Sequence, residues 1–165
     1  MFSVREHSIT LKRGKIGLIS DTHGLLRPEA LAALKNAELI VHAGDIGKLE
    51  VIETLKGVAP VLAIRGNNDR DAWATDFPDV LNLQVNGTRL HVIHNVHEIA
   101  ADPRLNGIAA VISGHSHKPG ISRRDSVLYM NPGSAGPRRF KLPVAVGMIY
   151  LREEKLRGRI IELQM

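Results

Sequence analysis

Seven polar side chains at the ends of short apolar runs form a set that suits metal-assisted hydrolysis. Two carboxylates, one amide and four imidazoles make up the set: Asp21, His23, Asp45, Asn67, His94, His115 and His117. Nitrogen and oxygen ligands without sulfur suit divalent manganese, iron or zinc. A pair of such cations binds phosphate and lowers the pKa of a water molecule, so the set points to phosphoester hydrolysis.

The fragments that carry these residues are weak signals singly and a specific signal together. An Asp-x-His pair such as Asp21–His23 is often a solvated loop, and Gly44–Asp45 and Gly66–Asn67 are common turn pairs. The run Gly114–His117 is stronger, because two imidazoles one residue apart on a glycine loop often bind a metal. All of these fragments follow apolar runs, which favours one shared site.

The elements that must position these residues alternate between strands and helices in the first half of the chain. Short apolar runs predict three buried parallel strands, at residues 15–20, 39–43 and 61–64. Helical spacing predicts two helices between them, at residues 28–37 and 51–55. Because ligands bind beyond the carboxyl ends of parallel strands, Asp21, Asp45 and Asn67 are expected to converge.

The second half of the chain is rich in strands. Alternating apolar residues on both sides of Asn86–Gly87 predict a hairpin of two strands, at residues 81–85 and 90–92. Further strands are predicted at residues 108–113, 126–130, 144–151 and 156–163. This order predicts an α/β (α+β) fold in which two mixed sheets stack face to face with helices outside.

Length and composition narrow the possible classes of protein. The 165 residues suit one domain, 1–165, with residues 1–13 as a possible extra N-terminal segment. There is no cysteine, which excludes thiolate metal sites and a cysteine nucleophile. Residues 1–13 lack the apolar block of a secretory signal, and no apolar run approaches the ~18 residues of a membrane helix. We therefore expect a cytoplasmic protein without membrane contact.

The charge balance favours anionic partners mildly. The chain has 22 basic and 17 acidic residues, for a net charge of +5. Aromatic residues make up only 4% of the chain, so few stacking platforms are available for a dedicated nucleic-acid binder. Three cations, Arg138, Arg139 and Lys141, either reach a substrate phosphate or belong to a solvated basic loop.

At this point the sequence resembles the calcineurin-like metallophosphoesterase superfamily, from Lys15 to Leu163. Among its branches the chain is most similar to the small single-domain bacterial and archaeal phosphodiesterases. The run Asn131–Ser134 after a predicted strand also matches that branch. The resemblance implies a four-layer β-sandwich of two mixed sheets flanked by helices, in agreement with the pattern of elements.

The resemblance also implies a ligand set and a mechanism. One metal would be held by Asp21, His23 and His117, and the other by Asn67, His94 and His115. Asp45 would bridge both. The implied cofactors are two divalent ions, with manganese favoured and zinc, iron or nickel as alternatives. The implied reaction is attack on phosphorus by a hydroxide that bridges the metals.

The sequence departs from the family pattern next to two ligands. Many members have histidine where this chain has Asn68, and an amide donates a hydrogen bond but delivers no proton at neutral pH. Asn95 also stands where the family usually has glycine. With Asp45, Asn67 and Asn68 as the expected catalytic residues, esters with good leaving groups are favoured, and phosphodiesters over monoesters.

Other interpretations remain open. One is a non-catalytic scaffold of the same fold, like the retromer subunit, and another is a phosphomonoesterase or nucleotidase. A small phosphoester or nucleotide-like substrate is expected rather than a polymer, and an oligomer is possible. Of the other histidines, His42 either orients Asp45 or is a satisfied core residue, whereas His91 and His97 are expected at the surface.

Overall fold

The computed structural model describes residues 2–165. Strands dominate this part of the chain. In chain order they are β1 (Val4–Ile9), β2 (Lys15–Ile19), β3 (Leu39–His42), β4 (Val61–Ala63), β5 (Val80–Val85), β6 (Thr88–Ile93), β7 (Ile108–Ile112), β8 (Gly120–Arg124), β9 (Val127–Asn131), β10 (Ala145–Arg152) and β11 (Lys155–Glu162). The two α-helices of this part are α1 (Pro28–Ala33) and α2 (Leu49–Leu55). Short 3₁₀ helices cover Ala72–Asp76, Val96–Glu98 and Pro103–Asn106.

The strands form two mixed sheets, as predicted. One has six strands in the order β1-β5-β6-β7-β9-β8, and the other has five in the order β11-β10-β2-β3-β4. In the five-stranded sheet β2, β3 and β4 run parallel, and in the six-stranded sheet β6, β7 and β9 run parallel. Each sheet therefore gathers the carboxyl ends of three strands at one edge, where the predicted ligands begin.

The main core lies between the two sheets. It is lined by apolar side chains of both inner faces, among them Ile16, Leu18, Val41, Leu83, Leu90 and Ile112. Each of these residues exposes at most 1% of its surface. Burial of such side chains contributes roughly 1.5–3 kcal/mol each, so this layer holds the sheets face to face.

Two outer layers complete a four-layer arrangement. Both α-helices pack on the five-stranded sheet through residues such as Leu34, Ile52 and Leu55. The 3₁₀ segments near Val96 and Ile99 cover part of the other sheet. The predicted helices are thus present, but α1 ends at Ala33 and continues as a turn instead of reaching residue 37. No helix in residues 2–165 has the length and apolar character to cross a bilayer.

Two edge strands have no counterpart among the predicted elements. The β1 strand pairs in parallel with β5, so residues 4–9 belong to the six-stranded sheet. The β8 strand pairs with β9 at the opposite edge of that sheet. Nearly every residue of both strands is exposed, so neither carries the apolar alternation by which a half-buried strand is recognised.

Candidate metal centre

The seven predicted ligands meet at one edge of the sandwich. The loop after β2 carries Asp21 and His23, and the loops after β3 and β4 carry Asp45 and Asn67. The loop after β6 carries His94, and the loop after β7 carries His115 and His117. Backbone hydrogen bonds join these loops, from Asp21 N to Gly44 O at 2.9 Å and from Gly114 N to His94 O at 2.9 Å. The ligand loops therefore form one connected surface across the two sheets.

A first group of side chains that suits a metal consists of Asp21, His23 and His117. The Oδ1 atom of Asp21 lies 3.3 Å from His117 Nε2 and 3.9 Å from His23 Nε2. The two imidazole Nε2 atoms are 3.4 Å apart. One carboxylate oxygen and two ring nitrogens thus converge on a single small volume.

A second group consists of Asp21, Asp45 and His94. The His94 Nε2 atom lies 3.3 Å from Asp45 Oδ2 and 3.8 Å from Asp21 Oδ1. The same Asp45 oxygen is 3.7 Å from His23 Nε2, so it faces both groups. Both carboxylates therefore stand between the two groups, and the bridging role of Asp45 stays a prediction.

The remaining predicted ligands, Asn67 and His115, form the exposed side of the centre. Asn67 Oδ1 and His115 Nδ1 are 3.2 Å apart. The His115 ring meets the His94 ring edge-on, with 5.2 Å between centroids. Both residues are exposed, which leaves this side of the centre open to a ligand from solvent.

Buried polar atoms without hydrogen-bond partners lie in this centre. Among residues 2–165 these atoms include Asp21 Oδ1, His94 Nε2 and His117 Nδ1. The other nitrogen of His94, Nδ1, donates to Ala43 O at 2.7 Å, so Nε2 of the neutral ring carries a lone pair. A lone pair that faces two carboxylates is unfavourable unless a cation lies between them. The donor set therefore fits a divalent metal.

Charge in the centre is arranged to keep both carboxylates ionised. Burial raises the pKa of Asp45, but hydrogen bonds and charge attraction from His94 and Asn68 outweigh it and leave that pKa well below its usual value. The pKa of Asp21 is lowered in the same way, since His117 and His94 outweigh burial. Burial lowers the pKa of His94, but the two carboxylates raise it above its usual value. The centre attracts cations, whether protons or metal ions.

Five of the seven predicted ligands have left-handed backbone conformations. Their φ angles are positive, at 55° for Asp21, 45° for His23, 55° for Asp45, 72° for His115 and 62° for His117. Such conformations cost about 1–3 kcal/mol for a residue with a side chain, and they cluster at functional sites. These left-handed positions lie in the loops whose side chains meet in the centre.

Glycines make the tight approach of the loops possible. A Cβ atom on Gly66 would collide with Asp45, and one on Gly114 would collide with Ser20 and Asp21. The glycines of the Gly-Asn and Gly-His pairs are therefore required by the packing of the loops rather than by turn geometry alone.

Asn68 contacts the carboxylate of Asp45. Its backbone N–H donates to Asp45 Oδ1 at 3.0 Å, and its side-chain Nδ2 donates to Asp45 Oδ2 at 3.0 Å. The sequence places Asn68 among the catalytic residues as a hydrogen-bond donor. The structure shows Asn68 in contact with the carboxylate of Asp45, and its catalytic role stays a prediction.

Asp69 is a buried residue of this centre that sequence reasoning missed. Its carboxylate accepts three backbone hydrogen bonds, from Ile46 and Gly47 at 3.0 Å and from Gly66 at 2.9 Å. Asp69 thereby ties the loop of Asp45 to the loop of Asn67. The sequence did hold a signal, because Asp69 is an acidic residue only two positions after the predicted ligand Asn67.

His42 is a satisfied core histidine, which resolves the two alternatives. Its Nδ1 accepts from the Gly44 N–H at 3.1 Å, and its Nε2 lies 3.0 Å from Thr22 Oγ1. Because that hydroxyl donates to Ile46 O, the ring donates to the hydroxyl. Its hydrogen bonds in the described chain do not include Asp45. His42 therefore braces the backbone of two ligand loops.

Two further histidines, His91 and His97, lie away from the centre. His91 is half-buried on the outer face of the six-stranded sheet, where Nδ1 lies 2.6 Å from Asn82 Oδ1. Burial lowers the pKa of His91. His97 is exposed, as expected. Asn95 accepts from the His97 N–H at 3.1 Å, so its side chain caps the turn that follows His94.

Comparisons with known proteins agree with this geometry. Residues 15–154 match the calcineurin-like phosphoesterase superfamily domain. A probable metallophosphoesterase of Methanocaldococcus jannaschii is 33% identical over 162 residues, which is 90% of this chain and 81% of that protein. A solved structure described as a novel archaeal phosphodiesterase is 25% identical with a TM-score of 0.73, covering 89% of this chain and 99% of that one.

A further solved structure shares the fold at lower identity. Vacuolar Protein Sorting 29 from Cryptosporidium parvum has a TM-score of 0.71 at 18% identity, covering 93% of this chain and 99% of that one. The family match includes the strands β2 to β10 and all seven predicted ligands. The chain belongs to the calcineurin-like phosphoesterase superfamily.

Proposed function

We propose that this phosphoesterase acts on phosphodiesters and holds two divalent cations at the centre. The observation that carries the proposal is the pair of ligand groups that share Asp21, with the buried, unpartnered atoms Asp21 Oδ1 and His94 Nε2 facing each other. The family supports metal-dependent phosphoester hydrolysis. An archaeal structure with 25% identity is described as a phosphodiesterase, which supports the choice of substrate class.

The residues present divide into two ligand sets around a shared carboxylate. One cation is assigned to Asp21, His23 and His117, and the other to Asn67, His94 and His115. Asp45 is assigned to both, since its Oδ2 faces His23 and His94. Bound there, two divalent cations supply positive charge for a phosphate and a water of lowered pKa. Nitrogen and oxygen donors suit manganese, which we propose as the native metal.

The residues of the chain hold the reacting groups in place. Asn68 donates two hydrogen bonds to Asp45 and thereby fixes the orientation of the carboxylate between the two ligand sets. An amide delivers no proton to a leaving group. We therefore propose that the enzyme favours diesters whose leaving group needs no protonation.

The test is hydrolysis of bis-p-nitrophenyl phosphate and of p-nitrophenyl phosphate by purified protein. Activity is measured after chelation and after separate addition of Mn²⁺, Zn²⁺, Ni²⁺ or Mg²⁺. We expect activity only with metal, highest with Mn²⁺, and greater on the diester. Replacing the central carboxylate in Asp45→Asn should lower kcat by at least ~100-fold and weaken binding of both ions. The reason is that the side chain assigned to both cations loses its negative charge.

Two outcomes would contradict the proposal. Near-normal turnover of Asp45→Asn with two ions bound would remove the central role of that carboxylate. A folded wild-type protein that cleaves neither ester with any metal would favour the scaffold interpretation. Higher activity on the monoester would keep the reaction class and overturn the diester assignment.

A further inference from the structure

A basic loop with an exposed aromatic residue lies at the same edge of the sandwich as the metal centre. We name residues 136–142 the basic loop. It follows β9, which runs parallel to β7, and β7 leads directly into His115 and His117. Arg138, Arg139 and Lys141 in this loop are exposed, and Phe140 exposes 89% of its surface.

The base of this loop contacts the backbone that carries the first ligands. Ser134 Oγ donates to Asp21 O at 3.0 Å, and Arg27 donates to Gly136 O at 3.2 Å. Gly136 lies so close to the 21–22 backbone that a Cβ atom there would collide with Thr22 O. The base of the basic loop is therefore fastened to the backbone of the first ligand loop, which carries Asp21 and His23.

The tip of the basic loop holds its aromatic side chain in water. Leu142 N donates to Arg139 O at 3.1 Å, and Arg138 Nε donates to Leu142 O at 3.3 Å, which closes a tight turn. Phe140 inside this turn has a left-handed φ of 53°. Strain and exposure of a large apolar ring both cost free energy, and strained backbone clusters at functional sites.

The positive charge of the basic loop is not neutralised within the described chain. Residues 126–152 contain no aspartate or glutamate. In residues 2–165 the ion pairs of up to 4 Å include none from the three loop cations. More cations flank the centre: Arg70 donates to Asn67 O at 3.1 Å, and the Lys48 chain lies over Gly24, beside His23.

We propose that the basic loop recognises a second phosphate and a base of the substrate, so that the substrate is a nucleotide-type phosphodiester with a further phosphate group. This inference rests on the proposed diesterase function. The phosphate that reacts is served by the metal centre, and additional cations beside it select additional negative charge. Arginine binds phosphate through paired N–H donors, and an exposed ring gives a base a surface for stacking.

The reaction on such a substrate is an ordinary hydrolysis. Water adds across one P–O bond of the internal diester, giving a phosphomonoester and a free hydroxyl. The further phosphate stays intact and serves as the handle for recognition. An example is pApA, a linear dinucleotide of two adenosines with a phosphate at its 5′ end. Its internal diester and its terminal phosphate are one nucleotide apart.

The test compares three diesters with and without these features: pApA, ApA without the terminal phosphate, and bis-p-nitrophenyl phosphate. We expect kcat/KM for pApA to exceed that for ApA about tenfold at low salt, through charge-assisted contacts. The double variant Arg138→Ala, Arg139→Ala should remove this preference. Phe140→Ala should lower kcat/KM about tenfold for both dinucleotides, because base stacking is lost.

A control variant and a binding measurement separate this inference from the proposed function. Arg152→Ala removes an exposed cation at the far end of β10, away from the centre, and should keep the pApA preference. Binding of a phosphorothioate analogue of pApA to chelator-treated protein is measured by calorimetry for the same variants.

The outcomes point in different directions. Cleavage of bis-p-nitrophenyl phosphate with equal kcat/KM for pApA and ApA would overturn the inference and keep the diesterase. Absence of all cleavage, with analogue binding that the double variant weakens about tenfold, would overturn the diesterase and keep the recognition role. Loss of binding in Arg152→Ala equal to that in the double variant would overturn the inference, because it would show general charge attraction.

Discussion

At the scale of single residues, carboxylates in this molecule organise loops by accepting backbone hydrogen bonds. Asp69 is the strongest case, since it accepts from Ile46, Gly47 and Gly66 and exposes only 6% of its surface. It binds no predicted ligand side chain directly. Its effect on the centre is exerted through the two loops that carry Asp45 and Asn67.

We predict that Asp69→Asn lowers the free energy of unfolding by about 2 kcal/mol and weakens metal binding together with it. An amide keeps the shape of the side chain but turns an N–H group toward a backbone N–H, which leaves a buried donor unsatisfied. Unfolding in urea with chelator present measures the first effect, and titration with Mn²⁺ measures the second.

Asp71→Asn is the matched control, because Asp71 is exposed and caps its 3₁₀ helix without a side-chain hydrogen bond. It should change neither quantity. If Asp69→Asn unfolds like wild type and binds Mn²⁺ equally well, the hydrogen bonds of Asp69 to the two loops contribute neither to stability nor to metal binding.

At the scale of elements, the sequence predicts the buried strands well, whereas the exposed edge strands β1 and β8 are not predicted. The hairpin predicted at Asn86–Gly87 is confirmed by the pairing of β5 with β6. It could be predicted because apolar alternation marks the face that packs on the core. The edge strands β1 and β8 bury almost nothing, so their backbone pairing leaves no trace in residue type. A contact distant in sequence also joins the start of β1 to the rest of the fold.

That contact is the carboxylate of Asp79. Its Oδ1 accepts from Arg65 Nε at 2.8 Å, and its Oδ2 accepts from Ser3 N at 2.9 Å, next to the start of β1. The hydrogen bond from Arg65 lowers the pKa of Asp79, against a smaller opposing effect of burial. One carboxylate thus joins β1 to the loop after β4.

We predict that Asp79→Asn lowers the free energy of unfolding by about 1 kcal/mol at pH 7, with a smaller loss at acid pH. A lowered pKa in the folded state means stabilisation that is complete above the unfolded value of about 3.9 and disappears as pH falls through the folded value. Urea unfolding at pH 7 and below pH 4 measures both. A difference between variant and wild type that is equal at the two pH values would contradict the role of the charge.

At the scale of the whole molecule, the sequence predicts which loops converge but not how their side chains face one another. Seven ligand positions follow from strand ends, and the structure brings all seven together. The contact of Asn68 with Asp45 and the tie through Asp69 depend on loop conformations with positive φ, which side-chain type does not specify. Local sequence patterns determine where the strands lie, and the packing of loops against each other determines how the side chains of the metal centre are arranged.

His42 couples this packing to the stability of the entire fold. It is fully buried and hydrogen-bonded as a neutral ring, and burial lowers its pKa to about 3, against partial compensation by Asp21 and Asp45. The unfolded chain takes up a proton near pH 6.5. Between these values the unfolded state binds more protons than the folded state, so stability rises with pH across that interval.

We therefore predict that acid destabilises the metal-free protein through His42, by up to about 1.4 kcal/mol for each pH unit below 6.5. His42→Gln keeps a donor for Thr22 and cannot be protonated, so it should be less stable at pH 7 but lose less stability between pH 6.5 and 4. Urea unfolding of both proteins in chelator across this range measures the two slopes. The raised pKa of His94 acts in the opposite direction and is common to both proteins, so it cancels in the difference. Parallel stability curves for variant and wild type would show that His42 is not the group through which acid acts.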